Sequence, residues 1–306
     1  MSHTPSVSST TAGWFYGLLG MLSFSLTLPA TRVAVAELNP IFVGLGRALV
    51  AAALAAILLK LTQQPVPSRS QIKSLLLVAA GVVVGFPILS AWALRIVPAS
   101  HGAIMLGLLP LATVIAGVLR AGDRPSRGFW AASSAGSSVV IVFAIVSGGG
   151  HIQGADLALL VAVIAAAIGY AEGARLAREI GSWQVICWAL LIAAPFLLVP
   201  VGLTLLRGVH GSPSAWIGFA YVSVFSMFLG FFAWYRGLAL GGVARVGQLQ
   251  LLQPFFTLGA SALLLGEQIT PATILVALVV AVIVALGRKA RVDRAPAVQP
   301  VAQGRS

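Results

Sequence analysis

The chain has 306 residues, of which 59% are hydrophobic and only 8% are charged, and its formal net charge is +12. An average soluble domain carries roughly 25% charged residues, so this composition excludes an ordinary water-soluble fold. The Lys and Arg residues are scattered between long apolar runs. That distribution argues against a nucleic-acid-binding face and is typical of the loops of a membrane protein.

Ten membrane-spanning helices are predicted from the apolar runs, each long enough to cross a hydrocarbon core of ~30 Å. Pro and Gly residues separate the runs, and the predicted spans are 13–35, 40–61, 72–94, 99–120, 128–147, 155–176, 184–206, 214–236, 243–265 and 271–288. The first run is longer than the core of a signal peptide, which predicts a retained helix. We expect residues 1–12 and 291–306 to be disordered because they lack helical periodicity.

Basic residues are unevenly distributed between alternate loops. Arg32, Arg95 and Arg207 belong to one set of loops, Arg47 lies inside the second span, and the other Lys and Arg residues all fall on the opposite side. Cytoplasmic loops retain Lys and Arg, so both termini are predicted to be cytoplasmic. The single cysteine, Cys187, excludes an intramolecular disulfide.

Two stretches of the sequence are related by a shift of 144 positions, which places Pro110 over Pro254 and Thr113 over Thr257. We therefore predict two repeats of five spans, residues 13–147 and residues 155–290. An odd number of spans inverts the second copy relative to the first. Inverted repeats support alternating access, although a duplicated scaffold without transport is the alternative.

Several residues follow one order across both halves. They are Arg47 in an apolar second helix after Pro40, Pro110 and Pro254 at helix centres, and the run Leu265-Gly266-Glu267. In these respects the chain resembles the drug/metabolite transporter superfamily, specifically its EamA-type exporters with two five-helix repeats, and most of all the aromatic amino acid exporters. The resemblance implies efflux of amino acids or similar metabolites across a bacterial inner membrane.

Prolines at midspan free backbone carbonyls, which are tolerated at that depth only where protein or a watery cavity satisfies them. Pro29, Pro87, Pro110 and Pro254 therefore predict helix breaks around a central cavity and a role in gating. A kink that serves packing alone is the alternative for each.

Aromatic residues lie near the same depth and are predicted to form an apolar cage around the solute. The candidates for substrate binding are Phe24 with its neighbour Ser25, Phe86, Tyr170 and Phe225. A solute site needs apolar walls with few polar groups, and aromatic faces attract ammonium groups. Contact with lipid or simple core packing is the alternative.

The ninth span carries a polar stripe, because Gln250, Gln253 and Thr257 are spaced i, i+3 and i+7 on one helical face. Amide side chains both donate and accept hydrogen bonds, so Gln250 and Gln253 are candidates for contact with a polyfunctional solute. Hydrogen bonding between helices explains the stripe equally well.

The charged residues inside the spans are predicted to have structural roles. For Arg47, anchoring of the fold or contact with lipid phosphate is favoured over a carboxylate site, since an intramembrane arginine is costly and long side chains reach for the interface. Glu172, Arg175 and Glu179 are spaced i, i+3 and i+7 and are predicted to form a charge ladder.

No motif indicates an enzyme. The four histidines lie in tails or at span ends without the spacing of a metal site, and no phosphate-binding glycine loop occurs. We therefore expect no catalytic residue, no metal and no cofactor, and a monomer whose partners are a small solute and membrane lipids. A receptor or scaffold is the first alternative, and a lipid-modifying membrane enzyme the second.

Overall fold

The computed structural model describes residues 7–121, 123–125, 127–147, 152–287 and 292–294. Within these ranges the chain is helical apart from two strands, β1 (Asp123–Pro125) and β2 (Val292–Arg294), which pair antiparallel. The first helix begins at Val7, earlier than predicted, and β2 lies in the tail that was predicted to be disordered. Helices dominate because a chain in lipid must satisfy its backbone hydrogen bonds internally.

Helical segments of the first half follow the order that the apolar runs predict, and several contain an interruption. They are α1 (Val7–Ser25 and Thr27–Val35), α2 (Phe42–Gly46 and Arg47–Leu61), α3 (Arg69–Val78, Ala79–Gly85 and Phe86–Ala93), α4 (Ala99–Met105, Leu106–Leu108 and Leu109–Ala121) and α5 (Arg127–Ser147). Phe42–Gly46 and Ala79–Gly85 are wide π-type turns, and Leu106–Leu108 is a tight 3-10 turn.

The second half repeats this pattern in its last three helices, whereas its first two helices are continuous. It consists of α6 (Gly154–Ile180), α7 (Ser182–Leu206), α8 (Pro213–Tyr221, Val222–Leu229 and Gly230–Gly241), α9 (Val243–Val246, Gly247–Leu251 and Gln253–Leu265) and α10 (Pro271–Gly287). Val222–Leu229 is a π-type turn, and Gly247–Leu251 is a 3-10 turn.

Eight of the described helical segments are long and apolar enough to cross a membrane. The segments outside that set are α5 and the shorter α10, which pack against each other. The chain is therefore a multi-pass helical membrane protein.

Glycines bring α1 and α8 into close antiparallel contact. Gly13 lies against Gly241, and Gly17 lies against Gly237, so the two helices run in opposite directions. A Cβ atom added at Gly237 would lie 2.5 Å from the backbone nitrogen of Gly17, which leaves no room for a side chain. Small residues of this kind let membrane helices pack backbone to backbone.

A similar antiparallel contact joins α3 to α6. Gly81 faces Ala165, where an added Cβ would lie 2.4 Å from the Ala165 carbonyl oxygen. At the other end of the contact, the Arg175 Nη2 donates a hydrogen bond of 2.7 Å to the Ser74 hydroxyl. The close packing of α1 on α8 and of α3 on α6 holds the two halves together around the centre of the bundle.

Carboxylates join helix ends across the two halves. Both carboxylate oxygens of Glu267 accept hydrogen bonds of 2.9 Å, from the backbone N–H groups of Ala99 and Ser100 at the start of α4. Glu37 accepts two bonds of 2.6 Å from the N–H and hydroxyl of Ser212, directly before α8. The N–H groups at a helix start have no partner within the helix, so these acids cap them.

Candidate functional site

A cavity lies at the centre of the bundle, between the two halves. The space between its lining atoms is about 410 Å³, including the part that opens to the outside. The first half contributes Phe24, Thr27, Leu28, Arg47, Val82, Phe86 and Leu106. The second half contributes Ala166, Tyr170, Ser226, Met227, Phe231 and Gln253. The walls are thus mostly apolar and aromatic, with a few polar groups, as in sites for small organic molecules.

Every interrupted helix that reaches the cavity places a lining residue in or next to its interruption. These residues are Thr27 after the turn in α1, Arg47 after the π-type turn of α2, Val82 within that of α3, Leu106 within the 3-10 turn of α4, Ser226 and Met227 within the π-type turn of α8, and Gln253 close after the 3-10 turn of α9. Irregular helical turns are frequent at functional sites. The interruptions therefore mark the cavity more consistently than any single residue type does.

The four predicted prolines all lie in the first turn of the α-helix that resumes after an interruption. Pro29 is the third residue of Thr27–Val35, and Pro87, Pro110 and Pro254 are the second residues of their helices. A proline is tolerated there because its missing N–H would have no helical partner. The prolines themselves are buried behind the cavity wall and do not line the central cavity.

Four of the predicted substrate-binding residues, Phe24, Phe86, Tyr170 and Gln253, lie on the cavity wall. The rings of Phe24 and Tyr170 are nearly parallel, with their centroids 6.2 Å apart, and the Phe231 ring lies 4.9 Å from that of Phe24. These rings form a continuous aromatic face on one side of the cavity.

Two other candidates, Ser25 and Phe225, lie away from the lining. The Ser25 hydroxyl donates a hydrogen bond of 2.9 Å to the Met21 carbonyl within its own helix. Phe225 is 50% exposed and stacks on Tyr221 at 5.4 Å, on the outside of the bundle. Within the π-type turn of α8, Ser226 and Met227 face the cavity instead.

The polar stripe predicted on α9 is divided by the interruption of that helix. Gln253 lines the cavity, whereas Gln250 lies in the 3-10 turn and accepts a hydrogen bond of 3.3 Å from the Thr113 hydroxyl. The Thr257 hydroxyl donates to the Ser25 carbonyl at 2.8 Å. The three side chains therefore meet different partners, and of the three only Gln253 lies on the cavity wall.

Arg47 is a functional candidate for which the sequence interpretation favoured a structural role over a carboxylate site. Its side chain is 2% exposed, lines the cavity and has an Nε without a hydrogen-bond partner. The prediction of contact with lipid phosphate is therefore wrong, because the guanidinium points into the bundle and not towards the interface. An arginine inside an apolar run was the available signal, and its direction depended on the π-type turn directly before it.

Polar groups other than Arg47 are few on the cavity wall. The hydroxyls of Thr27 and Ser226 share a hydrogen bond of 2.8 Å across α1 and α8, and Gln253 supplies an amide. No acidic residue lines the cavity in the described part of the chain. The predicted ladder is confirmed outside the cavity, where Arg175 pairs with Glu172 and Glu179.

Comparison with known proteins finds one family twice in this chain. The sequence model of the EamA-like transporter family matches residues 11–146 and residues 153–287. The chain is 45% identical over 291 residues to the "Uncharacterized transporter YdeK" of Bacillus subtilis (strain 168), over 92% of this chain and 99% of that protein. A solved crystal structure matches with a TM-score of 0.63 over 92% of this chain and 98% of the other, at 17% identity, which shows a shared fold.

Proposed function

Because the chain belongs to the EamA-like transporter family, we propose that it is a secondary transporter that moves a small organic solute through its central cavity by alternating access. The observation that carries this proposal is the cavity itself, which both halves line at the interruptions of their helices. Interrupted helices at a repeat interface are where many transporters bind their substrates.

The proposed architecture has ten membrane crossings in two inverted halves, residues 13–147 and 155–290. Each half matches the same family model, which supports a repeat. The antiparallel contact of α1 with α8 becomes that of α3 with α6 when the halves are exchanged, which supports an approximate two-fold relationship. With an odd number of crossings in each half, the second half lies upside down relative to the first.

The proposed solutes are amino acids or related metabolites with an aromatic or apolar side chain, moved outwards. The aromatic face of Phe24, Tyr170 and Phe231 supports an apolar group, and Gln253 supports a polar one. We place the protein in a bacterial plasma membrane as a monomer with both termini in the cytoplasm. Accessibility reporters placed near residues 13 and 155 test the topology, and the same reading for both contradicts inversion.

Flux through liposomes tests the proposed function directly. The purified chain is reconstituted, and uptake of labelled phenylalanine is followed against empty liposomes and against an excess of unlabelled phenylalanine. Saturable flux that the unlabelled amino acid suppresses supports a carrier. Binding without flux favours a receptor, and chemical conversion of the solute favours an enzyme.

Coupling of solute transport to proton movement is tested in the same liposomes, with and without a pH gradient. Glu172 is a carboxylate within α6, but it is held by Arg175 at 2.7 Å and lies outside the cavity lining. A carboxylate that carries the coupling proton needs to exchange it during transport, and a stable ion pair opposes that exchange. We therefore propose facilitated diffusion, for which the initial rate is the same with and without the gradient.

A further inference from the structure

We propose that Arg47 binds the carboxylate of the transported solute, so that the cavity accepts organic anions and zwitterions and rejects organic cations. This inference rests on the proposed transport function, since it names the class of solute for the same cavity. It assigns a binding role to a residue whose position in the sequence suggested anchoring.

The surroundings of Arg47 leave its charge uncompensated. The side chain is 2% exposed, and its Nε has no hydrogen-bond partner. Arg175 forms ion pairs with Glu172 and Glu179, and His101 contacts Asp156, but none of these contacts includes Arg47. A buried charge without a partner is strongly unfavourable and is retained in proteins for a reason other than stability.

A second arginine shows what an anchoring role looks like in this fold. Arg32, at the end of α1, donates to the backbone carbonyl of Leu94, which closes α3. That carbonyl has no donor four residues later, because residue 98 is a proline. Arg32 thus satisfies an acceptor that the backbone leaves open, whereas the Nε of Arg47 meets no such acceptor.

The cavity supplies the remaining features of a site for an amphipathic carboxylate. Arg47 is the one charged side chain on the described lining of the cavity, so the site carries a net positive charge. A carboxylate would neutralise it and accept the parallel N–H bonds of the guanidinium fork, which Lys reproduces less well. The faces of Phe24, Tyr170 and Phe231 would hold the apolar part of the solute. A cation without a carboxylate would face Arg47 with no carboxylate to offset the repulsion.

Three ligands with the same phenyl ring test, in the purified full-length protein, whether binding depends on the carboxylate or on the ammonium group. They are 3-phenylpropionate, which has only the carboxylate, phenylalanine, which has both charges, and phenethylamine, which has only the ammonium. Binding is measured as the ligand-dependent shift of the thermal unfolding midpoint in detergent, over a concentration series for each ligand. Because this assay measures binding, it gives a result even where flux through liposomes is absent.

We expect the wild-type protein to bind the two carboxylates and to discriminate against phenethylamine. Arg47→Gln should weaken binding of both carboxylates about 10- to 100-fold, the range for a lost charge-assisted hydrogen bond. Arg47→Lys should keep the preference for carboxylates with weaker binding. Arg95→Gln removes the same charge from an exposed position at the end of α3 and should behave like the wild type.

Three results would overturn the inference. They are wild-type binding of phenethylamine as tight as that of 3-phenylpropionate, unchanged carboxylate binding by Arg47→Gln, and no binding of either carboxylate at millimolar concentration. If Arg47→Gln does not fold, the ligand series on the wild type and on Arg47→Lys decides. Normal binding without flux would contradict the transport proposal while leaving the assignment of Arg47 in place.

Discussion

The hydroxyl of Thr257 on α9 donates a hydrogen bond of 2.8 Å to the backbone carbonyl of Ser25 on α1. In a regular helix that carbonyl would accept from the residue four positions later, which here is Pro29 and has no N–H. The helix recovers at the next position, where the Ala30 N–H bonds to the Leu26 carbonyl at 3.0 Å. The second half of the chain thus satisfies the backbone group that the interruption of α1 leaves open.

Replacing Thr257 with valine keeps the shape and removes this donor. We expect the variant to lose about 1–3 kcal/mol of stability, the cost of leaving a buried acceptor unsatisfied. The measurement is the thermal unfolding midpoint in detergent.

A double-mutant cycle with Pro29→Ala tests the cause. Alanine at position 29 restores the N–H that can bond to Ser25, so Thr257→Val should cost less in that background. Equal costs in both backgrounds would show that the hydrogen bond to Ser25 is not the reason for any loss of stability.

The contact between α1 and α8 predicts a second pair of variants. Gly237→Ala places a Cβ 2.5 Å from the Gly17 nitrogen and should lower stability by about 1–3 kcal/mol, because the helices have to separate. Gly259→Ala is the matched control, since nothing lies within 4 Å of its added Cβ. It should leave stability unchanged or raise it slightly through the higher helix propensity of alanine. Equal thermal midpoints for the two variants would contradict the close approach.

The positions of the helices were predictable from the sequence because each apolar run is long and is bounded by Pro or Gly. The four prolines also predicted where the helices are interrupted. Cavity residues next to prolines, such as Phe86 and Gln253, could therefore be found in this way.

What the sequence did not reveal is the direction of side chains after an interruption. One residue inserted in a π-type turn rotates the helix that follows by about 100° relative to an uninterrupted one. The turns Phe42–Gly46 and Val222–Leu229 contain no proline, so nothing in the sequence marks them. Arg47 and Phe225 were misplaced for this reason.

The hydrogen bonds of Glu37, which lies outside the membrane-spanning segments, predict that the stability of the protein depends on pH. Hydrogen bonds from the Ser212 hydroxyl and then from its backbone N–H lower the pKa of Glu37 below its ordinary value of 4.5. Because this pKa is lower in the folded state, Glu37 contributes its full stabilisation of the fold at pH values above its ordinary pKa. This stabilisation is lost as the pH falls through the lowered pKa of the folded state.

The test measures the thermal unfolding midpoints of the wild type and of Glu37→Gln from about pH 7 down to about pH 3. The wild type should be the more stable protein at the upper end, and the difference should shrink towards the lower end. A difference that stays constant over this range would contradict ionisation of Glu37 as its cause.

Variants of the cavity wall test the assignment of individual residues. Tyr170→Ala and Gln253→Ala should each reduce phenylalanine flux in liposomes roughly tenfold or more, as expected when a contact of about 1.4 kcal/mol is lost. Phe225→Ala removes an aromatic side chain of similar size from the outside of the bundle and should leave flux unchanged. Unchanged flux in Tyr170→Ala or Gln253→Ala, with normal insertion, removes that residue from the site.

The proposed role of Arg47 predicts that replacing this residue increases the stability of the protein without bound solute. An unpaired buried charge costs several kcal/mol in desolvation, and the Nε of Arg47 has no partner that offsets the cost. Arg47→Met keeps a flexible chain of similar length without the charge. It should therefore raise the thermal midpoint by a few degrees in the absence of solute. Anchoring of the fold by Arg47 predicts the opposite sign, so a lower midpoint for Arg47→Met would favour anchoring over solute binding.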